Sequence, residues 1–189
     1  MTNLGRWILA AALASVCGLA GAANYPGVLC RKGGEAALAD YHQTLDMFNR
    51  RRVAGEDDQV IRGLQRGVAN ECTAAARALA DIRMRQEMAL PADADPARRH
   101  ALEAESLALV TETARVDDDW GVLGIFHMVR GSEYYDPQAA MKAFETGAAK
   151  GQRDCLEFVI KAYSGHYPDI APDAAKEAFW RGKRDAPKQ

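Results

Sequence analysis

Apolar residues recur at helical spacing along most of this chain. Ala37, Leu38, Tyr41, Leu45 and Phe48 share one face of a helix that closes on Arg50-Arg51-Arg52, where basic charge complements the helix dipole. Gly55 to Asp58 reads as a turn whose acidic residues open the next helix. Val60 to Leu90 carries a second helical pattern, with a break expected between Gly67 and Asn70 and an apolar line through Ala75, Leu79, Ile82 and Ala89. Pro91 ends that stretch. Asp95-Pro96 is an N-cap followed by proline at the first helical position, and it predicts a helix over 97–116 with Leu102, Leu109 and Val116 at seven-residue spacing. No segment alternates as a strand does, and no Asn-Gly or Asp-Gly pair marks a hairpin. The pattern predicts an all-α protein.

Composition agrees. Alanine accounts for 36 of the 189 residues while aromatics make up 7%, and alanine both favours helices and lets them approach closely. A formal charge of -2 lacks the basic excess that drives counterion release, so nucleic acid is not an expected partner.

Residues 1–23 read as a signal peptide and stand apart from the fold. Arg6 precedes an uncharged stretch from Trp7 to Leu19, and the small run Ala20-Gly21-Ala22-Ala23 supplies a cleavage site. The apolar stretch is shorter than the roughly 20 residues that span a bilayer, and no second one follows, so no membrane span is expected in the mature chain. Cleavage takes the formal charge from -2 to -3, because Arg6 leaves and no acid does. The expected compartment is the bacterial periplasm. There, of Cys30, Cys72 and Cys155, one pair should be oxidised; Cys30 with Cys72 is the preferred pair, and Cys155, in an apolar run, is the free thiol.

The last third contains an internal repeat. Pro137-Gln-Ala-Ala-Met-Lys-Ala-Phe-Glu-Thr-Gly147 and Pro172-Asp-Ala-Ala-Lys-Glu-Ala-Phe-Trp-Arg-Gly182 share Pro, three Ala, Phe and Gly at a constant offset of 35. Such a period means stacked helical pairs. Proline is expected to start each second helix. Ala139, Ala140 and Ala143, with Ala174, Ala175 and Ala178, should allow close packing, and Phe144 and Phe179 should fill the gap beyond. The partner helices are expected over 120–131 and 154–165.

At these residues the chain resembles the Sel1-like repeats, relatives of tetratricopeptide repeats. Leu123-Gly124 matches the start of the family pattern, Lys142-Ala143, Ala148-Ala149 and Gly151 continue it, and Phe144 stands near the usual aromatic. Tyr163, Gly165 and Ala178-Phe179-Trp180 match in the second copy. His127 occupies the first tyrosine position, Gly131 comes one residue late, and the second copy lacks the Leu-Gly pair. The resemblance implies antiparallel helical hairpins stacked as a short α-solenoid over 119–184, preceded by a helical region over 24–118 and followed by a tail, 185–189.

No catalytic or cofactor pattern emerges. His42, His100, His127 and His166 are scattered, and Asp117-Asp118-Asp119 lacks the alternation, glycine and distal glutamate of a calcium loop, so N-capping is the expected role of that run. No Gly-x-Ser-x-Gly is present. The remaining candidates are aromatics in the loops of the repeats: Tyr134 and Tyr135 in the first, His166 and Tyr167 in the second, with Trp180 replacing Glu145 of the first copy. Two readings stay open. They anchor a protein-binding surface, or they seal the ends of the repeats.

The expected protein is a non-catalytic binding module whose partner is another protein. Among small exported Sel1-like proteins one role is immunity, in which the chain binds and blocks a toxic secreted effector. An acidic chain would complement a basic effector. An envelope adaptor serving the cell's own machinery is the alternative, and a helical peptidoglycan or lipid hydrolase is a third.

Overall fold

The computed structural model describes residues 28–50 and 58–186. The assigned signal peptide, residues 51–57, which hold the end of the first expected helix and most of the expected turn, and residues 187–189 of the tail lie outside the described residues. Within them are eight helices and no strand: α1 Gly34–Arg50, α2 Asp58–Ala69, α3 Ala75–Met88, α4 Pro96–Val116, α5 Trp120–His127, α6 Pro137–Ala149, α7 Arg153–Tyr163 and α8 Ala174–Asp185. The chain divides into two compact units at Asp117. No helix among the described residues is long and apolar enough to cross a membrane.

In the first unit each helix packs against the next in sequence. Tyr41, Leu45 and Phe48 of α1 are buried with Val60 and Leu64 of α2, Ala75, Leu79 and Ile82 of α3, and Leu109, Val110 and Val116 of α4. The break expected after Gly67 falls at residues 70–74. There Ala74 takes a left-handed conformation (φ 64°), and its N–H donates to Asp117 Oδ2 at 2.8 Å. Buried Tyr41 donates its hydroxyl to the Thr73 carbonyl at 2.9 Å, which fixes the same turn from below. Asp95 caps α4 through the Ala97 N–H with Pro96 in the first turn, as its sequence requires. Ala89, expected on the apolar line of α3, is exposed because the helix ends one residue earlier, at Met88.

The sulfurs of Cys30 and Cys72 lie at disulfide distance, and their backbones pair in an isolated antiparallel bridge. The lead-in segment is held further by the Arg31 guanidinium, which donates to the Val116 carbonyl at 2.7 Å. Glu71, beside the cysteine, pairs with Lys32 at 2.9 Å and Arg115 at 3.0 Å, and these partners hold its carboxyl below the usual range.

The second unit places α6 between α5 and α7, while α8 packs on α7. Two glycines make the close approaches. A Cβ at Gly124 would lie 2.7 Å from the Phe144 ring, and one at Gly147 would lie 2.5 Å from Cys155 Sγ and Gln152 Oε1. Ala140, Ala143, Phe144 and Gly147 are all buried, as the repeat predicts.

The second copy departs from that expectation. Ala174, Ala175, Ala178 and Gly182 are exposed, Phe179 is 56% exposed, and Trp180, a candidate for either surface anchor or end seal, is 8% exposed. Two things differ: among the described residues α8 packs on α7 alone while α6 packs on two helices, and the caps sit at different places. Asp136 precedes its proline and caps α6 through the N–H groups of Gln138 and Ala139, so Pro137 opens the helix. In the second copy the order is reversed. Asp173 follows Pro172 and caps α8 through the Lys176 N–H, leaving Pro172 outside the helix rather than at its first position. The caps are therefore 37 residues apart while the matching residues are 35 apart. Two residues of helix turn the side chains by about 200°. The shift brings Trp180 to the place of buried Ala143 and swings Phe179 outward to the place of exposed Lys142.

Candidate protein-binding site

The two loops that carry the aromatic candidates start alike. Each N-cap aspartate returns its own N–H to the end of the preceding helix: Asp136 to the His127 carbonyl at 2.9 Å and Asp173 to the Tyr163 carbonyl at 3.0 Å. This closure fixes the loops between α5 and α6 and between α7 and α8, where Tyr134, Tyr135, His166 and Tyr167 were expected and are found.

Tyr135 does not stand free. Its hydroxyl donates to Asp169 Oδ2, and the Arg130 guanidinium pairs with the same carboxylate, so residues of one loop clasp a residue of the other. The Tyr135 bond and the Arg130 charge hold the Asp169 carboxyl below its ordinary range. Burial, and then the carboxylate, push the Tyr135 hydroxyl up. Tyr134 is half-buried and leans on Phe126, ring centroids 6.3 Å apart, while its carbonyl meets His127 Nδ1 at 3.1 Å. His127 is thereby part of the loop's hydrogen bonding.

Tyr167 ends an aromatic column. Phe144 of α6 stacks on Phe158 of α7 at 3.7 Å, and Phe158 stacks on Tyr167 at 4.6 Å. Burial against that column pushes the Tyr167 hydroxyl up. His166 is exposed and meets Tyr167 edge-on at 6.2 Å. Of the five aromatic candidates, four gather at the loops, two of them tied into the clasp and the column. Trp180 sits apart, buried on α8 with Phe179 against its edge at 5.0 Å.

A polar bridge ties α6, α7 and α8. Tyr163 donates to Glu145 Oε1 at 2.5 Å, and Lys176 Nζ donates to the Tyr163 oxygen at 3.1 Å while lying 4.9 Å from the centre of its ring. Burial is the main cause of the raised Tyr163 hydroxyl, with Glu145 second. This bridge was not anticipated, because the residues are 18 and 13 positions apart and on three helices.

The acidic run at the start of this unit differs from its expected role. Asp119, at the N-cap of α5, makes no side-chain capping bond. Asp118 instead accepts from the Trp120 indole at 2.7 Å and pairs with Lys150 at 2.8 Å. The Cys155 thiol is buried and donates to Gln152 Oε1 at 3.2 Å; burial, with Asp119 and Asp154 nearby, pushes it up to about 11. A thiol so protonated is a poor nucleophile. Among the described residues no cluster of three or more His, Cys, Asp or Glu side chains is arranged to hold a metal ion.

The large apolar side chain left exposed in this unit, among the described residues, is Phe179, which the repeat predicts to be packed. The signal that could have found it is the order of the dipeptides Asp136-Pro137 and Pro172-Asp173. No family model, curated protein or solved structure matches the chain.

Proposed function

We propose that this chain is a non-catalytic protein-binding module of the bacterial periplasm, built in its C-terminal part on Sel1-like repeats, and that its role is immunity: it binds a toxic secreted effector and blocks it. The observation that carries the reading is the order of packing from α5 to α8, in which helices stack on their sequence neighbours around an internal repeat. A stack of this kind offers an extended rigid surface to a partner. The clasp of Arg130 and Tyr135 on Asp169 supports it, since a pre-ordered loop loses less freedom on binding. The Cys30–Cys72 pair suits an oxidising compartment, and the leader-like segment over 1–23 suits export.

The test is to isolate the mature chain from the periplasm by a C-terminal tag and identify what accompanies it. The reading expects an effector encoded beside it, bound at about one to one. A stable envelope component of the same cell, with no effector, would contradict immunity and install the adaptor reading.

A further inference from the structure

The segment 28–33, ahead of α1, lies along the 70–74 turn. The Lys32 N–H donates to the Asn70 carbonyl at 3.0 Å, and the Thr73 N–H and hydroxyl both donate to the Leu29 carbonyl, at 2.9 and 3.2 Å. The Cys30–Cys72 link sits between these contacts. No side chain of the segment is fully buried: Val28 and Cys30 are half-buried, and Leu29, Arg31, Lys32 and Gly33 are exposed. Apolar burial holds α1 to α4 together, but it does not hold this segment. Its few polar contacts exchange for bonds to water at little net gain, and fixing the backbone costs freedom at every residue. The covalent link is what keeps the segment docked.

The turn under it is loaded. Glu71, just before Cys72, and Ala74, two residues after it, take left-handed conformations with φ 51° and 64°, which a residue with a Cβ disfavours. The same turn is wired to the end of α4. The Ala74 N–H donates to Asp117, and Arg31 donates to the carbonyl of Val116, the last residue of α4, where the helix itself offers no donor. Segment, turn and helix end form one cluster with the disulfide at its centre. The core side chains of this unit, among them Leu45, Leu64, Leu79 and Val110, come instead from the helices.

We propose that the Cys30–Cys72 disulfide is a redox latch: its reduction by an external dithiol frees residues 28–33, relaxes the 70–74 turn and uncaps α4, while α1 to α4 stay packed. The latch stands apart from the protein-binding reading and does not depend on it. Cys30 is the sulfur within reach, since Cys72 is 3% exposed. A thiolate of the dithiol attacks Cys30 Sγ, the S–S bond breaks, and Cys72 leaves as a thiolate that takes a proton from solvent. The second thiolate of the dithiol then attacks its own sulfur in the mixed disulfide, and Cys30 leaves and is protonated in turn. The protein gains the two electrons and two protons that the dithiol gives up, and the dithiol becomes a disulfide. Oxidation reverses the exchange and docks the segment again.

The test is backbone amide relaxation, by NMR, on the full mature chain before and after dithiothreitol is added without denaturant. Alkylation and mass spectrometry should then find Cys30 and Cys72 both tagged. On reduction the order parameters of residues 29–32 should fall below about 0.6, while those inside α1 to α4 stay near about 0.85. Cys30→Ser should show the same release without reductant, and dithiothreitol should change nothing further in it. A disulfide that opens only once urea is added overturns the proposal, as does a reduced chain whose residues 29–32 stay ordered. Loss of order throughout α1 to α4, in the reduced chain or in Cys30→Ser, overturns it too, since the link would then staple the whole unit.

Discussion

Helices α6 and α8 carry nearly the same residues in the same order and put them to opposite use. In α6 the alanines, Phe144 and Gly147 are packed between two helices. In α8 the same letters face outward, and the buried position belongs to Trp180. The difference has two sources: α6 lies between two helices while α8 packs on α7 alone among the described residues, and the capping aspartate stands on opposite sides of the proline. Capping satisfies backbone N–H groups that otherwise have no partner, so the aspartate decides where the helix begins, and the start decides which residues face the core. A sequence match therefore transfers a chemistry without transferring its orientation.

Mutation should expose that asymmetry most strongly at the two phenylalanines. Phe144→Ala is expected to cost about 3–5 kcal/mol, because it empties a packed site and removes the base of the Phe158–Tyr167 column. Phe179→Ala should stay within about 0.5 kcal/mol of the parent chain. Equilibrium urea unfolding of both variants checks the pair. Two large losses would mean that α8 is packed as α6 is.

The first unit provides a reference of similar size that leaves the comparison untouched. Opening the link between Cys30 and Cys72, which encloses a separation of 42 residues, should cost about 4 kcal/mol on the chain-entropy account. Unfolding with and without reductant measures it. In the mature chain both tryptophans, Trp120 and Trp180, lie in the second unit, so their fluorescence reports the α6 and α8 effects specifically.

The caps sharpen the comparison at a smaller scale. Asp136→Ala and Asp173→Ala should each lose about 1 kcal/mol, because both aspartates accept from first-turn N–H groups. A loss at Asp136 alone would place the start of α8 elsewhere and remove the explanation for the outward face. Thermal melts of the two variants decide this.

Acid should loosen the clasp between the loops. The Asp169 carboxyl is held below its unfolded value by the Tyr135 hydroxyl and the Arg130 charge. Its contribution is therefore present above the unfolded value near about 4 and is lost as pH falls through the lower folded one. The protection of amides 130–135, with intrinsic exchange at each pH divided out, should fall from about pH 5 to about pH 2 in the parent chain. In Asp169→Asn it should be low throughout.

Much of the architecture was legible in the sequence. The helical periods, the Asp95-Pro96 start, the break before Ala75 and the Cys30–Cys72 pair all follow from local rules that act within a few residues or from simple counting. Phe179 departs from the packed position the repeat predicts because identity holds at an offset of 35 while the capped helices correspond at 37. The clasp on Asp169 and the Glu145–Tyr163–Lys176 bridge were invisible, since each joins residues from different elements whose proximity exists only after the helices pack. The loop aromatics were found where expected, but loop position alone did not reveal that Tyr135 and Tyr167 are engaged with their own chain.

The two repeat glycines test the account most directly, by thermal unfolding of Gly147→Ala and Gly182→Ala side by side. A methyl at Gly147 would lie 2.5 Å from Cys155 Sγ, so that variant should lose about 1–3 kcal/mol. A methyl at Gly182 meets nothing, so the helix should gain about 0.5–1 kcal/mol from alanine's propensity. Melting temperatures that move in opposite directions are the predicted result; a fall in both would contradict an outward-facing α8.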